Sequence, residues 1–142
     1  MSSSAFHLST EAFPERERIA FWREEFGRTI LKLDVDPIGP KEFQSEVVLR
    51  ALPGLSLFSG QSSSVHFRAP PSLAASNDDS VGLSRMLHNS AVAVHLGQEF
   101  TLANGDGVLL SCTDPLLYSL PMGGHSAAVR LSRPVLQPWR RA

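Results

Sequence analysis

Two hydrophobic periods divide the chain near residue 40. Before that point Ile19, Trp22, Phe26 and Ile30 recur three and four residues apart, which places them on one face of a helix. Pro14 suits a helix start, where a missing N–H leaves nothing unpaired. Glu15 and Glu17 follow in the first turn, where the positive helix end favours acids. Glu24 and Arg28 are spaced to support one another, and Gly27 weakens the last turn. The pattern predicts an amphipathic helix over residues 14–29 lying on the rest of the domain, with residues 1–13 as an arm before it.

After Pro37-Ile38-Gly39-Pro40 the helical period disappears, and strand-like runs alternate with turn signals. Phe43, Ser45, Val47 and Leu49 alternate with Gln44, Glu46, Val48 and Arg50. Pro53-Gly54 marks a turn before Leu55, Leu57 and Phe58. Val65 and Phe67 alternate with His66 and Arg68. Residues 69–71 and 76–80 are rich in Pro, Ser, Asn and Asp and read as loop. Val81, Leu83 and Arg85 alternate with Gly82, Ser84 and Met86; Val92, Val94 and Leu96 alternate with Ala91, Ala93 and His95. Phe100 and Leu102 lead into Asn104-Gly105-Asp106-Gly107, a tight-turn signal between strands. Residues 108–112, 116–120 and 127–131 complete the set. About eight or nine short strands at roughly 8–12-residue spacing indicate a mainly β sandwich or barrel. No βαβ unit or internal repeat is present.

Composition narrows the class. A chain of 142 residues suits one compact domain, here residues 14–134, with 135–142 as a tail. With 42% hydrophobic and 19% charged residues the chain is neither a disordered tail nor a membrane protein. Its apolar runs fall far below the roughly 20 residues a span needs. No secretory signal is visible at the N-terminus. Cys112 stands alone and can form no internal disulfide, which fits a cytoplasmic location. A net charge of −1 argues against a DNA-gripping surface. Arg130, Arg133, Arg140 and Arg141 gather near the end and read as a solvated tail.

Three stretches carry a family resemblance. The first runs Leu8-Ser9-Thr10, Pro14-Glu15-Arg16, Phe21-Trp22-Arg23-Glu24. The second is Leu33-Asp34-Val35, Phe43 and Leu52-Pro53-Gly54-Leu55. The third is residues 96–102 and 105–110, then Tyr118 and Val129-Arg130-Leu131-Ser132-Arg133-Pro134. In order and spacing they resemble the N-terminal ligand-binding domain of AraC-type transcription regulators, a cupin-like β-barrel or jelly roll. The resemblance implies a small organic effector, no cofactor and no catalysis. It also implies a homodimer; a separate reading is a truncated regulator-like protein acting by association with a full-length regulator. In that family a C-terminal pair of helix-turn-helix motifs reads DNA. Such a pair needs about 100 further residues, so direct DNA binding by this chain is not expected.

Cupin barrels often hold a metal, beginning with a His-x-His motif that is missing here. His88, His95 and Glu99 are the nearest candidates. The two histidines are an odd number apart and would face opposite sides of one strand, so no metal site is expected. The alternative is a small cupin-type metal enzyme. Ser62-Ser63-Ser64 beside His66 reads as turn material, and Cys112 as a small buried hydrophobe. Asp34 and Asp36 read as loop solvation. Arg68 and Arg85 lie within alternating strands; turned inward, either could clamp a carboxylate, and turned outward it would be solvated. Arg68, Arg85, His95 and Tyr118 are the candidate ligand-binding residues.

Overall fold

The computed structural model describes residues 4–136. Its strands are numbered in chain order. One sheet holds six, in the spatial order β1 (Ser4–Ser9), β3 (Ser45–Leu52), β4 (Leu55–Ser62), β11 (Gly124–Ser132), β6 (Ser80–His88) and β9 (Gly107–Ser111). The other holds five: β2 (Asp34–Pro37), β5 (Val65–Ala69), β10 (Leu116–Leu120), β7 (Ala91–His95) and β8 (Gln98–Leu102). Neighbours within each sheet run antiparallel. Their inner faces share one core, from Val47, Leu49 and Met86 on one side to Val65, Tyr118 and Leu120 on the other. This is the expected mainly β, cupin-like jelly roll with a helix before it.

The helix α1 spans Arg18–Thr29, after a 3-10 turn at Glu15–Glu17. Its apolar stripe is buried as the spacing predicts: Trp22 is fully covered, and Phe26 and Ile30 nearly so. Phe26 stacks on Phe67 of β5 and meets Phe58 of β4 edge-on, at centroid distances of 6.3 and 6.4 Å. One helical side chain therefore touches both sheets. Both helix ends are fastened. Arg18 donates to the Phe13 carbonyl at 3.0 Å and pairs with Glu42 at 3.1 Å. At the other end Arg130 donates from Nη1 to the carbonyl of Ile30 and from Nε to Ser80 Oγ at 2.7 Å. A cation on the last carbonyls of a helix is favourable for the dipole as well. The Glu24–Arg28 pair forms at 3.1 Å.

Several expectations are corrected. Within the stretch read as an arm, residues 4–9 form strand β1, where Leu8 pairs with Val47. Thr10 behind it is fully buried; its hydroxyl accepts the Ser45 N–H at 3.0 Å and lies 3.3 Å from the Ser45 carbonyl. Asp34 and Asp36 belong to a strand, not a loop. Val35 between them points into the core, and the carboxylates face outward to Arg23 and Arg68 at 3.6 and 3.9 Å. Pro37 is tolerated because β2 is an edge. Between the two stretches read as loop, and taking in Pro71 of the first, lies a one-turn helix α2, Pro71–Ala75. Arg130 and Arg133 are not tail residues: the first clamps α1, and the second pairs with Asp79 at 2.7 Å. A short helix α3, Arg133–Leu136, follows β11. Arg140 and Arg141 lie outside the described residues.

The turns also differ. Asn104–Gly107 does not join paired strands; it carries the chain from β8 in one sheet to β9 in the other. The two-residue hairpins are Pro53-Gly54, between β3 and β4, and Leu96-Gly97, between β7 and β8. Leu96, read as the end of a strand, has φ +52 and Gly97 φ +74. Positive φ at both central positions suits the twist of a hairpin.

Candidate functional site

The inner faces do not pack solidly. Between them lies a cavity of about 130 Å³. Trp22, Phe26 and Ile30 of the α1 segment form one wall. Phe58, Gly82, Ser84 and Leu110 line it from the six-stranded sheet, and Phe67, Tyr118 and Leu120 from the five-stranded sheet. The space follows from small residues on inward positions. On β6 the inward set is Gly82, Ser84 and Met86, and Leu83 is turned out, half exposed. A Cβ on Gly82 would meet nothing closer than Cys112 Sγ at 3.8 Å. Ser126 and Ala128 on the neighbouring β11 leave further room. Gly60 has a different reason: its Cβ would fall 2.7 Å from Val47 Cγ2.

Few polar groups reach this space. Tyr118 is buried; its hydroxyl lies 3.2 Å from Ser84 Oγ and donates to Met86 Sδ at 3.3 Å. Burial raises the phenol pKa above its ordinary value, and the Ser84 hydrogen bond offsets part of that. Trp22 Nε1–H is buried without an acceptor among the described residues. Arg130 stands at the wall with Nε and Nη1 engaged by Ser80 and Ile30.

Of the four residues singled out from sequence, only Tyr118 faces the cavity. Arg68 and Arg85 point away, because Val65, Phe67 and Ala69 on β5 and Gly82, Ser84 and Met86 on β6 take the inward positions. Arg68 lies near Asp36, and Arg85 donates to the Gly105 carbonyl at 3.2 Å. Neither is an inward clamp. His95 is buried and points inward but serves the frame. Its Nε2 lies 3.2 Å from the Ser111 N–H and 3.3 Å from the Ser111 carbonyl, joining β7 to β9 of the opposite sheet. Gly82, Ser84, Ser126 and Arg130 escaped the sequence reading as cavity residues; small inward residues on β6 were the available signal.

His66 bonds Ser119 rather than the nearby serine run, with Nδ1 to Oγ at 2.6 Å. Ser119 is buried, so the pair is not presented to a substrate. A second, polar cleft includes Glu11, Glu46, His88 and His125. Among the described residues no three His, Cys, Asp or Glu side chains come together to hold a metal. No helix among them is long and apolar enough to cross a membrane.

Comparison with known proteins decides the family. The AraC-binding-like domain model matches residues 22–142. This chain belongs to the AraC-binding-like domain family. The fold of this AraC-binding-like domain is similar to that of the AraC-like transcriptional activator CuxR, with TM-score 0.78 and 16% identity. That match covers 94% of this chain and 49% of the activator, so the domain spans about half the activator's length. It is also similar to a cupin superfamily protein of Desulfitobacterium hafniense, with TM-score 0.54, 12% identity, and 67% and 84% of the two chains covered. An RmlC-like cupin of Shewanella frigidimarina matches with TM-score 0.51 and 11% identity, over 70% and 84% of the chains. At these identities the likeness is one of fold. No curated protein matches by sequence.

Proposed function

We propose that this AraC-binding-like domain senses a small organic effector held in the cavity between its two sheets. The observation that carries the reading is the cavity itself: bounded by α1 and both sheets, largely apolar, with convergent hydroxyls from Tyr118 and Ser84. Ligand sites commonly have this character. Because α1 forms a wall and is clamped by Arg130, a ligand there would bear on the helix directly. The domain acts as a cytoplasmic binder, not a catalyst, and takes no cofactor. Contact with DNA belongs to another part of the regulator assembly. A thermal-shift screen of small organic molecules tests the central step. An effector at about 100 times its Kd adds roughly 2.7 kcal/mol, a melting rise of several degrees at this size. Hits whose effect survives filling of the cavity would count against the reading.

A second copy of this chain is the partner we propose. Leu57, Val129, Leu83 and Leu109 are register partners on four neighbouring strands, β4, β11, β6 and β9. They form an apolar row on the outer face of the six-stranded sheet, where Leu83 is 50% and Leu109 66% exposed. A twofold axis lets such a patch pair with itself. A longer regulator sharing this domain would meet the same face.

A further inference from the structure

The chemistry of the cavity wall says more about the ligand than that it is small. This inference rests on the reading of the cavity as the effector site.

Size sets the first limit. A cavity of about 130 Å³ is comparable with the roughly 150 Å³ that accommodates benzene, so one ring with a short substituent fills it. The polar groups set the second. Tyr118 O–H is a strong donor resting on a thioether sulfur, a weak acceptor, 3.3 Å away. Trp22 Nε1–H, in the α1 wall, has no acceptor among the described residues, but it is fully covered and does not front the open space. The under-used donor at the cavity, Tyr118 O–H, calls for an acceptor on the ligand. Charge sets the third. Among the described residues Arg130 is the lining cation, and it holds Ser80 and the end of α1. Burying an anion beside Asp114, also in the lining, is unfavourable unless a cation is released for it.

We infer that the cavity selects an uncharged, single-ring molecule bearing one carbonyl-type acceptor, which takes the Tyr118 O–H away from Met86. Acetophenone, ethylbenzene and benzoate separate the three features. The first has ring and acceptor, the second has the ring alone, and the third is an anion of similar size. Their affinities can be measured at neutral pH through Trp22 emission in a Trp139→Phe background, since the chain has two tryptophans, and checked by calorimetry.

Acetophenone is expected to bind roughly five- to tenfold more tightly than either of the others, the worth of one hydrogen bond. Tyr118→Phe should remove the advantage over ethylbenzene and leave ethylbenzene itself little changed. Gly82→Leu, which fills the cavity, should abolish all binding; Gly82→Ala, with its ordinary contacts to Cys112 and Val129, should weaken it if the larger side chain prevents folding. Benzoate binding more tightly than acetophenone, or no preference over ethylbenzene, would overturn the ligand class while blockage at Gly82 upheld the site. No binding by any probe, or binding indifferent to both Gly82 variants, would overturn the site and the class together.

Discussion

At the scale of single residues, the most exposed cost is at Leu96. A branched side chain at φ +52 is disfavoured, and this one is 66% exposed, so little packing compensates. Leu96→Asn should raise stability by about 1 kcal/mol, read as a higher urea midpoint with unchanged slope. An unchanged or lower midpoint would mean that Leu96 makes a contact worth more than the strain. Tyr118 supplies a pH test. Its pKa is raised in the folded state by burial, so the phenol contributes fully below the unfolded value near 10. Above that, the unfolded chain loses its proton first and stability falls. The wild type should therefore lose more stability than Tyr118→Phe between pH 9 and about 11, measured by urea titration. Leu96 was also misread from sequence for a physical reason: apolar alternation through Val92 and Val94 carried it into the strand, whereas Gly97 beside it was the sign of the turn.

Among the elements, α1 is the one most legible in sequence, because its stripe and its burial coincide. The strands after residue 40 were found, but on β6 and β7 their facing was not. On β7 the buried positions are Ala91, Ala93 and His95, with Val92 and Val94 only half buried. On β6 the inward positions hold Gly82 and Ser84. Alternation reveals that two faces differ, but not which face is the core when the core contains a cavity and wants small residues. That ambiguity made inward clamps of Arg68 and Arg85 conceivable, and it hid Gly82 and Ser84. β1 and β2 were missed because each offers few apolar positions, with polar or acidic neighbours. Between elements, the Arg130 clamp on Ile30 is expected to govern α1. Arg130→Met should speed hydrogen exchange of the α1 amides by about an order of magnitude, the loss of a charge-assisted bond of roughly 1.5 kcal/mol, with the central strands of the sheets unaffected. Uniform acceleration throughout would show that Arg130 supports the whole fold instead.

For the whole molecule, the jelly roll and the family agree, and both were visible in the order of motifs before any geometry. The cavity was not, since it arises from residues distant in sequence that meet only across the two sheets. The outer apolar row of Leu57, Val129, Leu83 and Leu109 likewise exists only once the strands are in register. If that face pairs two copies, Leu83→Lys with Leu109→Lys should give a monomer in sedimentation velocity where the wild type gives a dimer, with the fold intact by circular dichroism. A wild-type monomer at all concentrations would remove self-association through this face. The cavity remains the centre of the functional reading, and methyl NMR tests it most directly. Titrating the tightest-binding small molecule should shift the methyls of Val47, Leu110, Leu116 and Leu120, which line the cavity, and leave those of Leu96, Leu109 and Met122 in place. Shifts confined to the outward methyls, with the interior ones still, would contradict binding between the sheets.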